Sequence, residues 1–245
     1  LAGTPYWPDM HNKVLLIDAG TMYNMNATNK ALKELGVKKI DYAILTHYHQ
    51  DHSAGLFSIM LNYKIDHMYV TDMSKHSEIK LDGVYYFIRT LTQIADHFSG
   101  GTMIEFVKDS NSNFKTFQFA DSYVEFFAPI EDEYDIVNNY SLVAKVTYGE
   151  KSILFTGDIE SEVEQQLLES GIDLSADVYK AAHHGSMTSN TEAFMNAVNP
   201  EVVLISSDNG NHNSFGHPVQ SFMEYLKEKS IRVYRTDESG TVRII

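Results

Sequence analysis

Short apolar runs alternate along the chain with segments whose apolar residues recur every three or four positions. That alternation predicts strands and helices in succession, hence a layered α/β protein. Val14-Leu15-Leu16-Ile17-Asp18 reads as a strand, Lys30–Leu35 as a helix, and Tyr42-Ala43-Ile44-Leu45 as a buried strand feeding into Thr46-His47. Helical spacing in Ser53–Leu61 and a short strand at His67–Val70 follow. Val84, Phe87, Ile88, Leu91, Ile94, Ala95 and Phe98 share one face of an amphipathic helix over Val84–Phe98, which Gly100-Gly101 ends. Strands near Met103–Val107 and Tyr123–Phe127 complete this half.

The remainder repeats the idea. Strands at Leu142–Tyr148 and Ser152–Phe155 flank Gly149-Glu150, a hairpin turn signal. Ser161-Glu162-Val163-Glu164 has the pattern of a capping box, Asp177–Ala181 is the next strand, and Ser189-Asn190-Thr191-Glu192 caps the next helix. Val202–Ser206, a helix from Pro218 to about Lys227, and two closing strands end the chain. No low-complexity stretch or linker divides it. The expectation is one domain over 1–245 with pseudo-duplicated halves, about 1–128 and 140–245, and two sheets packed face to face with helices outside.

Composition narrows this picture. With 245 residues and 43% hydrophobic content, the chain can build one large or two modest cores. No apolar run approaches the ~18 residues that span a bilayer, so a soluble protein is expected. Zero cysteines exclude disulfides and thiolate ligands, so any metal site is built from histidine and carboxylate. The same absence favours an exported or cell-surface protein over a cytoplasmic one, and a start at Leu1 reads as a mature or trimmed product. A net charge of −14 disfavours a non-specific nucleic-acid binder, whose affinity rests on Lys and Arg against phosphates.

The chemistry concentrates in His47-Tyr48-His49-Gln50-Asp51-His52, directly after a strand. Alternate residues of an extended segment project to one side, so His47 and His49 can reach one metal. Asp51 and His52, where the chain turns into a helix, can face a second. Imidazole with carboxylate suits Zn²⁺, with Mn²⁺ or Fe²⁺ as alternatives. Two such ions clamp the attacking and leaving oxygens of a hydrolytic displacement. A His-rich surface loop is the bland alternative.

Other candidates sit at strand ends. Asp18 ends an apolar strand and can orient ligand histidines by hydrogen bonds, or serve as a turn residue. Asp158 follows Ile153-Leu154-Phe155-Thr156-Gly157 and can bridge two metals, or merely precede a helix. In His183-His184-Gly185-Ser186 adjacent residues face opposite ways, which favours His184 as the ligand with His183 contacting it or the substrate; two structural histidines are the other reading. His217, before Pro218, can meet an anionic substrate group or give a proton to a leaving oxygen. His212 reads as an exposed loop residue, and His11, His67, His76 and His97 as ordinary.

Asp18, THYHQDH at Thr46–His52, TGD at Thr156–Asp158 and HHGS at His183–Ser186 stand in the order of the metallo-β-lactamase superfamily, which the chain resembles from Lys13 onward. Within it, VLLIDAG, LTHYHQDHSAGL, LFTGDIE, AAHHGSMTSN, NSFGHP and RTDESGTVRI resemble the domain attached to competence DNA-uptake channel proteins. The chain is also similar, more loosely, to teichoic-acid phosphorylcholine esterases. The resemblance implies a four-layer αββα sandwich with a dinuclear site. His47 and His49 would hold the first metal, Asp51, His52 and His184 the second, and Asp158 both. Where many members carry a further histidine, this chain offers Asn138, a weaker ligand that loosens the first site or shifts it toward Mn²⁺. The implied activity is hydrolysis by a hydroxide generated at the dinuclear site, on a small or cell-envelope phosphodiester in preference to long nucleic acid. A competence-type DNA nuclease and a non-catalytic metal-binding module are the alternatives.

Overall fold

The computed structural model describes residues 13–23, 25–73, 87, 89–91, 93, 97, 101–107, 116–208 and 215–244. Two compact units divide the chain. One comprises Leu1–Lys108, Glu131–Tyr140 and Ile244–Ile245, the other Asp109–Ile130 and Ser141–Arg243.

The first unit is built on a four-stranded, wholly parallel sheet of β1 (Leu15–Ile17), β2 (Lys39–Leu45), β3 (Lys64–Thr71) and β4 (Met103–Val107), in that spatial order. Parallel strands covered on both faces read as unbroken apolar runs, which is why Leu15-Leu16-Ile17 and Ala43-Ile44-Leu45 carry no polar alternation. All six of those residues are buried. Helices α1 (Met25–Glu34), α2 (Gln50–Ser53) and α3 (Leu56–Asn62) connect the strands, and Leu32, Ile59 and Met60 are their buried positions in the core. Fully burying side chains of this kind contributes roughly 1.5–3 kcal/mol each. Gly55, between α2 and α3, has no room for a side chain: a Cβ there would stand 2.2 Å from the carbonyl oxygen of Ala19. That contact lets Gly55 N–H donate to the Gly20 carbonyl at 2.9 Å and clamps the turn after β1 onto the helix.

The second unit carries a seven-stranded mixed sheet ordered β11-β10-β9-β8-β7-β6-β5. Its strands are β5 (Thr116–Phe119), β6 (Ser122–Ala128), β7 (Val143–Tyr148), β8 (Lys151–Phe155), β9 (Val178–Lys180), β10 (Val202–Ile205) and β11 (Arg232–Arg235). Strands β8 through β11 pair in parallel, whereas β5 to β8 form an antiparallel meander. The Gly149-Glu150 turn joins β7 to β8 as expected. Helices α4 (Ser161–Glu169), α5 (Glu192–Val198) and α6 (Gln220–Glu228) bury Val163, Leu167, Phe194, Met195, Val198, Phe222 and Leu226.

Several expectations change on the structure. No capping box starts α4: the residue before it is Glu160, with no side-chain cap, and Ser161 is already helical. The Glu164 carboxylate that would complete the box instead accepts the backbone N–H groups of Asn190 and Thr191. Thr191 does cap α5, accepting from Phe194 N–H. Helix α6 begins at Gln220, two residues beyond Pro218. Among the described residues one closing strand follows, because Arg235 pairs with Asp237 and the chain turns into the short helix α7 (Thr236–Ser239). The helix over Val84–Phe98 falls largely outside the described residues. Its described positions, Phe87, Arg89, Thr90, Leu91, Gln93 and His97, are helical, with Leu91 buried. Strand β5 carried too short an apolar signal to be read.

Candidate metal centre

In the first unit β1 and β2 run side by side and end together, Ile17 opposite Ile44. Ligands in parallel α/β sheets gather at the carboxyl ends of strands, and the candidate residues of this unit do so. Asp18 stands directly after β1 in left-handed backbone (φ 57), a conformation that Asp tolerates better than most residues. Its buried carboxylate accepts the Thr46 N–H at 2.8 Å, the Thr46 hydroxyl at 2.9 Å, and a hydrogen from His52 Nδ1 at 2.7 Å.

These bonds fix the protons on two rings. A carboxylate only accepts, so His52 carries a hydrogen on Nδ1, and its Nε2 lies 3.8 Å from Asp51 Oδ2. The Thr46 hydroxyl gives its hydrogen to Asp18, so its lone pair takes the His47 Nδ1–H at 3.2 Å and turns His47 Nε2 away from Thr46. That atom lies 3.1 Å from His49 Nδ1. Two imidazole nitrogens bound to one tetrahedral zinc at about 2.0–2.1 Å stand roughly 3.3 Å apart, so this pair has ligand spacing. His47 and His52 are buried, whereas His49 and Asp51 are exposed.

The second unit repeats the device. Strands β8 and β9 are parallel with Phe155 opposite Lys180, and both lead into candidate residues. Asp158 follows β8 and is buried; its N–H donates to the Ser141 hydroxyl at 3.0 Å. His184 follows β9. Its Nδ1 donates to the Ser206 carbonyl at 2.8 Å, since a carbonyl only accepts, and its Nε2 lies 3.4 Å from Asp158 Oδ2. His183 points elsewhere: its Nδ1 is 3.7 Å from a Glu160 oxygen and 3.4 Å from the Thr188 hydroxyl.

The turn carrying both histidines is strained. His183 and His184 adopt left-handed backbone, φ 47 and 56, and Gly185 follows at φ +83. A Cβ on Gly185 would approach the Pro218 Cβ to 2.7 Å, so the turn closes against the segment bearing His217. The His217 and His183 rings meet edge to face with centroids 5.2 Å apart. Burial pushes the His217 imidazole below its ordinary 6.5, and the neighbouring His183 and His184 push it down further.

Asn138 is buried in the 3-10 turn Val137–Tyr140 of the first unit. His67 lies in β3, stacked on Tyr42 at 5.3 Å, and His97 is exposed. His11, His76 and His212 lie outside the described residues. Sequence reasoning missed Thr46, Ser141, Ser206, Ser207 and Thr236. Thr236 brackets Ser207, accepting its N–H and donating to its carbonyl, each at 2.8 Å, while the Ser207 hydroxyl donates to the His217 carbonyl. Only Thr46, a buried polar residue between an apolar strand and a ligand motif, left a readable signal.

The donor set is imidazole nitrogen and carboxylate oxygen, with rings held through Nδ1 by hydrogen bonds, and it fits a divalent metal. The comparisons agree. The model of the Metallo-beta-lactamase superfamily matches residues 10–207, so the chain belongs to that superfamily. Its members are mostly hydrolases and typically bind two divalent metals. Among curated proteins, the chain is 33% identical over 208 residues to ComE operon protein 3 of Bacillus subtilis, covering 85% of this chain and 25% of that protein. It is 27% identical over 234 residues to Competence protein ComA of Neisseria gonorrhoeae, covering 95% of this chain and 29% of that one. The chain therefore spans about a quarter of the length of these relatives. Among solved structures, CmlA, a diiron beta-hydroxylase from Streptomyces venezuelae, matches with TM-score 0.50 and 16% identity over 81% of this chain and 44% of that one, a likeness of fold.

Proposed function

We propose that the two groups of residues serve one dinuclear metal centre and that the chain hydrolyses phosphodiesters. On the superfamily's pattern, His47 and His49 would hold one ion, with Asn138 completing its set, and Asp51, His52 and His184 the other, with Asp158 shared. Zinc or manganese bound there would supply Lewis-acid stabilisation of the phosphoryl oxygens and acidify a water. The protein's own part is orientation. Asp18 keeps a hydrogen on Nδ1 of His52 and, through Thr46, of His47, and the Ser206 carbonyl does the same for His184. His217 would meet an anionic substrate group or give a proton to the leaving oxygen.

The observation that carries the reading is the matched treatment of His52 and His184. Each is pinned through Nδ1, and each Nε2 lies within 4 Å of a carboxylate of its own unit. A net charge of −14 favours a small or cell-envelope phosphodiester over long nucleic acid, and such a substrate suits an exported or cell-surface protein. Similarity to two competence proteins favours a second reading, a DNA nuclease.

The test is metal content of protein purified without added metal, with turnover of bis(p-nitrophenyl) phosphate and of single-stranded DNA under Zn²⁺ and Mn²⁺. About two metals per chain with turnover of the small diester supports the leading reading. Preference for DNA moves it to the nuclease, and metal without any turnover to a non-catalytic metal-binding module. His217→Ala is expected to lose rate and keep its metal; loss of metal would make His217 a ligand.

A further inference from the structure

The turn Ala182–Gly185 must hold two successive non-glycine residues in left-handed backbone, a region L-residues avoid. Its own cap does not explain this, since Ala181 makes no side-chain cap bond. Backbone bonds hold part of the turn, His183 N–H to the Gly157 carbonyl at 3.2 Å and Val219 N–H to the Gly185 carbonyl at 3.0 Å. The side-chain bonds to the backbone that flanks the two histidines converge on a residue outside the turn, Asn190. The buried Asn190 Oδ1 accepts the Ala182 N–H at 3.0 Å and the Tyr179 hydroxyl at 2.9 Å. Its Nδ2 donates to the Ala182 carbonyl at 3.0 Å and the Ser186 carbonyl at 3.4 Å. One amide thus pairs with both backbone groups of Ala182, as a neighbouring strand would, and reaches the backbone beyond the two histidines.

Asn190 is itself seated by a buried carboxyl group. Glu164, 0% exposed on α4, accepts the Asn190 N–H with one oxygen and the Thr191 N–H with the other. A carboxylate withdrawn from water is costly unless its hydrogen bonds are needed. Here they fix the backbone at the residue whose side chain spans the turn. Tyr179, 0% exposed, closes the arrangement, its hydroxyl accepting the Ala182 N–H at 3.0 Å.

We propose that Asn190, seated by Glu164, is a positioning residue for His184: it splints the histidine turn and thereby sets where His184 Nε2 points. The proposal rests on the metal-centre reading of His184. Its test is zinc affinity, by chelator competition, of the parent, Asn190→Ala and Tyr179→Phe proteins, with melting temperature and amide exchange at Ala182 measured alongside. Metal-orienting partners are typically worth about 10–100-fold in affinity. Asn190→Ala should weaken the tighter zinc step by that factor at temperatures far below its melting point, and Tyr179→Phe, which keeps the ring volume, by a few-fold.

Ala182 exchange should accelerate about tenfold or more in Asn190→Ala. A folded Asn190→Ala protein with zinc affinity within about twofold of the parent overturns the proposal, as does lowered melting with unchanged affinity, which marks a merely structural brace. If Asn190→Ala does not fold, Tyr179→Phe decides by the same criterion. A parent that binds no zinc sinks the metal reading and the role given to His184 with it. The splint is then judged on Ala182 exchange, and unchanged exchange removes that too.

Discussion

Both units place a carboxylate after one parallel strand and a histidine after the next, yet they orient the histidine differently. In the first unit a side chain, Asp18, holds His52 and, through Thr46, His47. In the second a backbone carbonyl, that of Ser206, holds His184, while side chains are spent on bending the turn that carries it. The first arrangement uses ordinary backbone at its ligands and strains only Asp18; the second strains both His183 and His184. Orientation by a side chain is open to single substitutions, whereas orientation by a carbonyl is protected from them.

The largest effect that breaks this comparison is common to both units. Asp158→Ala and Asp51→Ala should each reduce hydrolysis to the level of the metal-free protein while leaving the circular dichroism spectrum unchanged. Full activity in either variant would mean the carboxylates are not metal ligands.

Next come the two glycines. Gly55 has an ordinary helical backbone, φ −66, so Gly55→Ala is penalised purely by the Ala19 carbonyl at 2.2 Å. About 3 kcal/mol is expected, the upper end for overpacking. Gly185→Ala combines positive φ with the Pro218 contact and should cost about 2 kcal/mol. Denaturant unfolding checks both, and a neutral Gly55→Ala would contradict the packing of the turn after β1 against α2.

What the sequence made legible follows the same division. The motif at His47–His52 could be read because its candidate ligands are contiguous and preceded by an apolar strand. Asp158 and His184 could be read because each follows an apolar strand. The capping-box reading of Ser161–Glu164 failed because Glu164 has a stronger claim elsewhere: Asn190 and Thr191, more than twenty residues on, supply buried N–H groups. Ser206 was illegible in principle, since any residue brings a carbonyl. The second closing strand was misread because Thr236 and Asp237 find partners, Ser207 and Arg235, that favour a helical turn over an extended edge.

Asp18→Asn sharpens the contrast directly. The variant weakens the partner of His52 Nδ1 and of Thr46, and zinc affinity should fall about 10–100-fold. Ser206→Ala removes a side chain but not the carbonyl, so affinity should stay within about twofold. Equal losses would mean that the serine side chain matters as much as the aspartate.

The smallest expected effect lies at the opposite strand ends, where the units again use one device. Asp41 accepts the Val14 N–H at 3.0 Å and Lys13 Nζ at 2.7 Å, fastening the start of β1 to β2. Asp177 likewise accepts the Ser152 N–H at 2.8 Å and a lysine, Lys151, fastening β8 to β9. The side chain of Asp41 is only 4% exposed against 24% for Asp177. Burial raises the Asp41 carboxyl, but hydrogen bonds from Lys13, Lys39 and Val14 outweigh it and hold the group below its ordinary 3.8. The Asp177 carboxyl is lowered chiefly by Lys151. A depressed folded-state value means the stabilisation is complete above about pH 4 and is lost as the pH falls through the folded value. Asp41→Asn should therefore cost about 1–2 kcal/mol at pH 7, with the deficit shrinking below pH 4. Asp177→Asn, whose ion pair is better exposed to water, should cost about half as much. Thermal unfolding from pH 7 to pH 2.5 reads both, and equal losses would show that burial of the carboxylate is not what separates the two units.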